Sequence, residues 1–378
     1  MEKRKLNENY TPSLLGFGCM RFPVNAEGKI DRKEAEKMLD YAITHGVNYI
    51  DTAFPYHNQE SEPFVGKVLK KYNRDSFYLT TKMPLWFVNS IEEAEAMFEN
   101  QLQRLDVDYV DFYLLHALDK EKWEKTKRLG ILEYLDKMKM DGRLRNLGFS
   151  FHDDYEVFEE IIQAYPWDFC QIQYNYVDRE EQAGDKGYAL AEKLGIPLII
   201  MEPIKGGSLA VLPNDLADKL KQHASNQSIS SWALRWVASH SNVKVILSGM
   251  STFDQVVDNV KTFANFKRLT IEEEALIEEI AHEIKARTMN GCTGCEYCMP
   301  CPFGVNIPKN FRIWNDFSKY GNYAVTRKAY YEDLKREERS SMCKQCGKCE
   351  TLCPQHIAIR DDLKRVAQDM ETKIKSHE

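Results

Sequence analysis

The sequence predicts an α/β protein: a (β/α)8 TIM barrel followed by a small, mainly helical second domain. Two observations carry this. From about Gly16 to about Gly249, short apolar runs rich in β-branched and aromatic residues alternate with longer, charged segments of helical period. Beyond Thr288 the composition shifts, and eight of the ten cysteines lie in that last stretch. The length of 378 residues suits one large domain and one small one, with boundaries expected at 1–287 and 288–378.

The strands are expected, in order, at LLGFGCM (14–20), VNYIDTA (47–53), FYLTTK (77–82), VDFYLLH (110–116), LRNLGFS (144–150), FCQIQYN (169–175), PLIIMEP (197–203) and VKVILSG (243–249). The first helix is expected at 31–46, with Asp31 as N-cap, Glu34 three residues on and Gly46 after the last turn. Further helices are expected near 60–71, 91–105, 129–141, 153–164, 182–194, 228–239 and 253–263, with a closing one at 271–287. Eight strand–helix alternations over this length fit a closed barrel. A doubly wound sheet would usually carry a GxGxxG turn after its first strand, and GFG at 16–18 is too short for one.

Composition narrows the function. Hydrophobic residues make up 43% and charged residues 29%, ordinary for a globular enzyme, and the formal net charge of −7 argues against nucleic-acid binding. The longest apolar stretch, Ile196–Ile204, is less than half of the ~20 residues a membrane helix needs. The first residues show no apolar run of signal-peptide length, so a cytoplasmic protein is expected.

The cysteines fall into two runs. The first is Cys292-TG-Cys295-EY-Cys298-MP-Cys301-Pro302, and the second is Cys343-KQ-Cys346-GK-Cys349-ETL-Cys353-Pro354. The second has the C-x2-C-x2-C-x3-C-P spacing of two-cluster ferredoxins, whose fourth cysteine serves the other cluster. One [4Fe–4S] cluster is therefore assigned to Cys292, Cys295, Cys298 and Cys353, and the other to Cys343, Cys346, Cys349 and Cys301. The first run has two residues rather than three before its last cysteine, which leaves the exchange of ligands less fixed there. Zinc is the competing reading, but two quadruplets that each end in Cys-Pro favour iron–sulfur. The helical pattern between the runs suits a helical ferredoxin-like domain. Cys19 and Cys170 read as buried barrel residues.

Barrel active sites form at the C-terminal ends of the strands. Strand two ends at Asp51, with Tyr56 in the loop after it; strand three ends at Lys82 and strand four at His116. Each has an ordinary structural explanation alone. Together they make an acid–base set. A nearby ammonium lowers a tyrosine's pKa from about 10, an Asp fixes the Lys, and a neutral His orients a carbonyl oxygen or relays its proton.

With these residues the chain resembles the aldo/keto reductase family from about Leu14 to about Lys261. DTAFPYH at 51–57 resembles the family's DTA-x-x-Y element, and TTK and LLH follow at the expected strands. EPIKGGSL and CTGCEYCMPCPFGV resemble the subgroup with a C-terminal ferredoxin-type 4Fe-4S domain. The resemblance implies a catalytic tetrad of Asp51, Tyr56, Lys82 and His116. It also implies an extended nicotinamide dinucleotide on the barrel rim. Ser150 and Gln171 match the carboxamide position. Gly206, Gly207, Ser208 and Leu209 match the pyrophosphate clasp. Gly249, Met250, Ser251, Gln255 and Asn259 match the adenosine-phosphate end. Met201 stands where many members carry a tyrosine stacked on the nicotinamide, which puts nicotinamide affinity in question. Ser251 stands where many carry Arg or Lys for the 2′-phosphate, so both NADPH and NADH remain as cofactors.

The expected activity is NAD(P)H-linked reduction of a small-molecule carbonyl, or oxidation of the alcohol, with Tyr56 as proton donor. Two [4Fe–4S] clusters would be structural or would exchange electrons with a carrier protein. The alternative is a redox-partner or sensor module, whose barrel docks or senses nucleotide while the ferredoxin domain carries electrons. Nicotinamide delivers two electrons as hydride and a cluster moves one. A flavin would bridge them, and no clear flavin motif is present. Trp86 and Phe87, after Lys82, are candidates for the substrate pocket; Trp123, Tyr188 and Trp232 read as packing.

Overall fold

A computed structural model describes residues 1–375. Eight parallel strands close into a barrel in chain order: β1 (Leu15–Gly18), β2 (Tyr49–Asp51), β3 (Tyr78–Met83), β4 (Val110–Leu118), β5 (Leu144–Phe151), β6 (Phe169–Gln173), β7 (Leu198–Met201) and β8 (Val243–Ser248), with β8 pairing back on β1. Every expected strand is present. Strands of a parallel barrel are covered on both faces, which is why they read as near-continuous apolar runs.

The helices follow the capping signals. Asp31 accepts from the Glu34 N–H at the start of α1 (Arg32–Thr44). Next come α2 (Ser61–Leu69) and α3 (Ile91–Leu105), the latter capped by Ser90. The segment expected as a single helix near 129–141 is preceded by one that was not anticipated. α4 (Lys120–Leu129) ends on Gly130, in the left-handed conformation (φ 68°), and α5 (Ile131–Met140) starts there. Then follow α6 (Tyr155–Ala164), α7 (Gly184–Leu194), the unanticipated α8 (Asn214–His223), α9 (Ile229–Ala238), α10 (Phe253–Ala264) and α11 (Ile271–Ala286).

Contacts divide the chain into two compact units. One comprises Met1–Gly206 with Ser231–Glu274, and the other Gly207–Ser230 with the chain from Ala275. In the first unit, Tyr49, Phe112, Phe169, Ile199 and Val245 fill the barrel, and Leu6 from the N-terminal segment joins the same cluster. Tyr10 packs edge-on to Phe112, with ring centroids 5.5 Å apart. Arg4 donates to the carbonyls of His240 and Val243. The N-terminal segment is thereby tied to the lower part of the barrel.

In the second unit, α12 (Ile307–Tyr320), α13 (Tyr323–Arg327), α14 (Lys348–Leu352) and α15 (Ile359–Asp369) enclose a core of Phe311, Trp314, Tyr330, Leu363 and Val366. The indole N–H of Trp314 donates to Asp369 at 2.7 Å. The KAYYEDLKREE segment is helical in pieces, a π turn at Lys328–Glu332 and a 3-10 turn at Arg336–Glu338. No helix among the described residues is long and apolar enough to cross a membrane.

Gly66 marks a close approach of α2 to α3. A Cβ there would stand 2.3 Å from the backbone oxygen of Leu105. Backbone cannot yield as a flexible side chain can, so Gly66→Ala forces the helices apart. The expected loss is about 1–3 kcal/mol, the usual cost of overpacking, read as a lower denaturation midpoint. An unchanged midpoint would show that the contact relaxes freely.

Candidate active site

The barrel presents Asp51, Lys82 and His116 on neighbouring strands β2, β3 and β4, with Tyr56 in the loop after β2. The Lys82 ammonium is fully buried. It donates to Asp51 Oδ1 at 2.6 Å, to the Thr52 carbonyl at 2.9 Å and to Tyr56 Oη at 3.2 Å. One cation thus joins the carboxylate to the phenol. His116 closes the group, its ring centroid 6.0 Å from that of Tyr56 and 5.0 Å from that of Trp86. Trp86 and Phe87 are about half exposed beside it.

Local backbone explains how His116 gets there. Strand β4 does not end at His116, as its sequence suggested, but continues to Leu118 across a register shift after Leu115. Ala117 takes a positive φ of 54°, and its N–H is held by Ser150 Oγ at 2.7 Å. Such an irregularity re-aims a side chain at a barrel rim.

Electrostatics sort the four groups. Burial works against the Lys82 charge, but Asp51 and Tyr56 outweigh it and raise its pKa. Burial raises Asp51 while Lys82 pulls it down, and the 2.6 Å contact is that of an ion pair. Burial also raises Tyr56 above 10.0, although Lys82 pulls the other way. The expected net lowering of this tyrosine is therefore not found: loss of water around the phenolate outweighs the ammonium at 3.2 Å. Tyr56 keeps its proton at neutral pH. His116 is pushed well below 6.5 by burial and then by Lys82, and is neutral there.

Several buried polar atoms at this rim have no partner among the described residues: Asp51 Oδ2, His116 Nδ1 and Gln171 Oε1. Ser150 on β5 and Gln171 on β6 are register neighbours, both buried. Ser150 Oγ accepts from Ala117, which leaves its own proton to donate. Gln171 Nε2 lies 3.4 Å from Met201 Sδ, while its carbonyl oxygen is unmatched. A free donor beside a free acceptor fits a carboxamide. Gly206 and Gly207 lie in a 3-10 turn, Lys205–Ala210, with φ of 61° and 101°; Ser208 and the buried Leu209 complete it. Lys205 at its start is anchored through Nζ by both oxygens of buried Asp178. At the end of β8, Gly249 is exposed and Met250 buried. Ser251 donates its N–H to Gln255 Oε1 at 2.8 Å, and Asn259 Nδ2 donates to Ser248 Oγ at 2.9 Å. Asn259 is buried in that bond, whereas Gln255 is exposed.

Sequence reasoning missed the support behind Lys82. Buried Glu62 accepts from Thr81 Oγ1, Gln101 Nε2 and Arg104 Nε, all within 2.7–2.8 Å. Gln101 also donates to the Lys82 carbonyl at 2.9 Å and accepts from Tyr113 Oη at 2.6 Å. The available signal was a polar residue at 101 inside the apolar stripe Ala94, Phe98, Leu102, Leu105 of α3.

In the second unit the cysteines line two cavities. Cys292, Cys295, Cys298 and Cys353 line one. Cys301, Cys343, Cys346 and Cys349 line the other, with Cys298 at its edge. Among the described residues, no three such side chains close tightly on a single point. Cys301 thus lines a cavity with the second run and Cys353 one with the first, while Cys298 lines both. Cys19 and Cys170 are buried in the barrel unit.

Known proteins match both parts. A model of the aldo/keto reductase family matches residues 14–282, and a model of a 4Fe-4S dicluster domain matches residues 291–358. An uncharacterized oxidoreductase of Bacillus subtilis is 26% identical over 307 residues, covering 72% of this chain and 94% of the relative. Glyoxal reductase of the same organism is 30% identical over 215 residues, 56% of this chain and 72% of the relative. Among solved structures, the holo form of an aldo-keto reductase from Bacillus halodurans is similar with a TM-score of 0.62 and 27% identity, over 74% of this chain and 96% of that one.

Gln101→Leu removes the donor to Glu62 and to the Lys82 carbonyl and leaves the buried Tyr113 hydroxyl without its acceptor. Unpaired buried polar groups cost about 1–3 kcal/mol each. The expected outcome is a clear drop in the denaturant midpoint, and a variant as stable as the parent would show that the network carries little.

Proposed function

Because the chain belongs to the aldo/keto reductase family, we propose that it is an iron–sulfur oxidoreductase reducing a small carbonyl compound with NADPH or NADH, Tyr56 giving the proton. The observation that carries the reading is the single Lys82 ammonium shared by Asp51 Oδ1 and Tyr56 Oη beside neutral His116. Nicotinamide supplies hydride to the carbonyl carbon when bound. The Tyr56 hydroxyl transfers its proton to the carbonyl oxygen, and the Lys82 ammonium stabilises the phenolate left behind. Asp51 keeps Lys82 charged and in place. Uncharged His116 orients the oxygen by a hydrogen bond. Ser150 Oγ and Gln171 Oε1 supply the donor and the acceptor for the carboxamide. Gly206–Leu209 and Gly249–Ser251 bring backbone N–H groups to the phosphates, and Gln255 releases Ser251 as they arrive. Asn259 serves the adenine end, exchanging its bond to Ser248. Trp86 and Phe87 flank the carbonyl. A small dicarbonyl is the first substrate to try, in keeping with the relative named glyoxal reductase.

The barrel part, 1–287, does this chemistry, and the part at 288–378 holds two [4Fe–4S] clusters on the two quadruplets. Each cluster supplies one-electron exchange or cross-links its fold, and an electron-carrier protein is the partner for the former. Close CxxC spacing that serves metal rather than disulfides suits the cytoplasm.

Tyr56→Phe is expected to lower the rate constant for carbonyl reduction by about 10²–10⁴, the usual contribution of a positioned acid, with nicotinamide affinity little changed. Full activity in this variant would overturn the assignment of Tyr56. Because the Tyr56 pKa is raised above 10.0 and that of His116 lies well below 6.5, neither group titrates between pH 6.5 and 9. The chemical step of reduction is expected to stay level over that range and to fall only in stronger alkali, where the donor loses its proton. A rate that halves near pH 7 in single-turnover measurements would contradict this.

A further inference from the structure

The two cysteine runs share a pair of left-handed residues around their second cysteine. The residue before the second cysteine has a positive φ in both, 73° at Gly294 and 58° at Gln345. So does the residue after it, 63° at Glu296 and 81° at Gly347. The side chains on these matching turns differ. Between its first three cysteines the first run carries Thr293, Gly294, Glu296 and Tyr297, and the second carries Lys344, Gln345, Gly347 and Lys348. One turn bears a single anion and the other two cations.

The surroundings widen the contrast. Lys344, Lys348 and Arg360 line the cavity of Cys301, Cys343, Cys346 and Cys349. Arg360 is paired with Glu350 at 2.8 Å and counts as neutral with it. No Lys or Arg among the described residues lines the cavity of Cys292, Cys295, Cys298 and Cys353, whose one charged side chain is Glu296. Gln345 adds hydrogen bonds. Its backbone N–H and its side-chain Nε2 both lie 3.4 Å from Cys343 Sγ, and Nε2 also donates to the Arg360 carbonyl at 3.2 Å. Gly294, at the same place in the other turn, has no side chain to do this. A left-handed residue is ordinarily glycine, so the glutamine takes a strained conformation from which its amide reaches the sulfur.

Reduction adds one negative charge to a cluster. Cations and N–H donors near its sulfurs favour the reduced form, and an anion opposes it. We infer that the two sites are polarised: the cluster held by Cys301, Cys343, Cys346 and Cys349 takes an electron first, through Lys344, Gln345 and Lys348, and the one beside Glu296 takes it last. This rests on the proposed occupancy by two clusters. Electrons reaching this domain one at a time collect at the cationic site.

The test uses the full chain purified without oxygen. Iron and sulfide are counted first, and about eight irons per chain are expected for two cubanes. The protein is then titrated with dithionite and mediators, and electron paramagnetic resonance follows each reduced cluster. Two waves are expected, at least tenfold apart in reduced-to-oxidised ratio at a given poise, which is ~59 mV for a one-electron couple. Gln345→Gly should lower only the upper wave and Glu296→Gly should raise only the lower one. Gln345→Gly copies the residue that the sister turn already holds, so the turn itself tolerates it. Eight irons with a single wave, or movement of the lower wave by Gln345→Gly, overturns the polarity. About four irons overturns the two-cluster reading instead, and the polarity with it.

Discussion

The barrel site depends on a buried ammonium. Lys82 is fully out of water, and an unpaired charge there would cost several kcal/mol, about the desolvation penalty of one ion in a protein interior. Three acceptors offset it: the Asp51 carboxylate, the Thr52 carbonyl and the Tyr56 hydroxyl. These come from β2 and the loop after it, so the pairing also sets how that loop leaves the barrel. Glu62 and Gln101 hold the strand from behind, at the Thr81 hydroxyl and the Lys82 carbonyl rather than at the Lys82 charge. The rim is therefore shaped by the need to satisfy one cation. The tyrosine it holds keeps its proton through burial, with the ammonium in place to receive the negative charge that proton transfer would leave.

The same constraint explains what was legible in the sequence. The strands were, because a parallel barrel buries both faces and leaves a continuous apolar run. Asp51, Lys82 and His116 were, because they are polar residues at or near the ends of such runs. The bulge after Leu115 was not: nothing in LLHAL marks the shift of register, and Ala117 is an unusual residue for a positive φ. Helix α4 was hidden by charge, since KEKWEKTKRL buries only Trp123 and Thr126. The support from Glu62 and Gln101 was hidden by distance along the chain, as these residues meet only once α2 and α3 pack together. The direction of the Tyr56 shift escaped for a related reason: the neighbour that lowers it was readable and the burial that raises it was not.

The cysteine domain inverts that balance. Its core is built from helices and turns that sequence periodicity reads only in part, yet the cysteines proposed as its ligands stand out by spacing alone. Ligand spacing is a local property of the chain, and each run closes through its own turns. Cys301 and Cys353 each line a cavity with the other run, as a crossed assignment of the fourth cysteines would require.

The proposed reading puts two kinds of redox chemistry, with different electron counts, in one chain. Hydride would move a pair of electrons in the barrel, and clusters would move single electrons in the cysteine domain. Two equivalent clusters would share one electron without preference. Two unequal ones give it a resting place and a direction. The paired left-handed turns would supply the means, because the spacing of the first three cysteines is the same in both while the four residues between those cysteines differ. Lys344, Gln345 and Lys348 on one copy against Glu296 on the other are the residues by which such a domain would set that direction, without altering a single ligand.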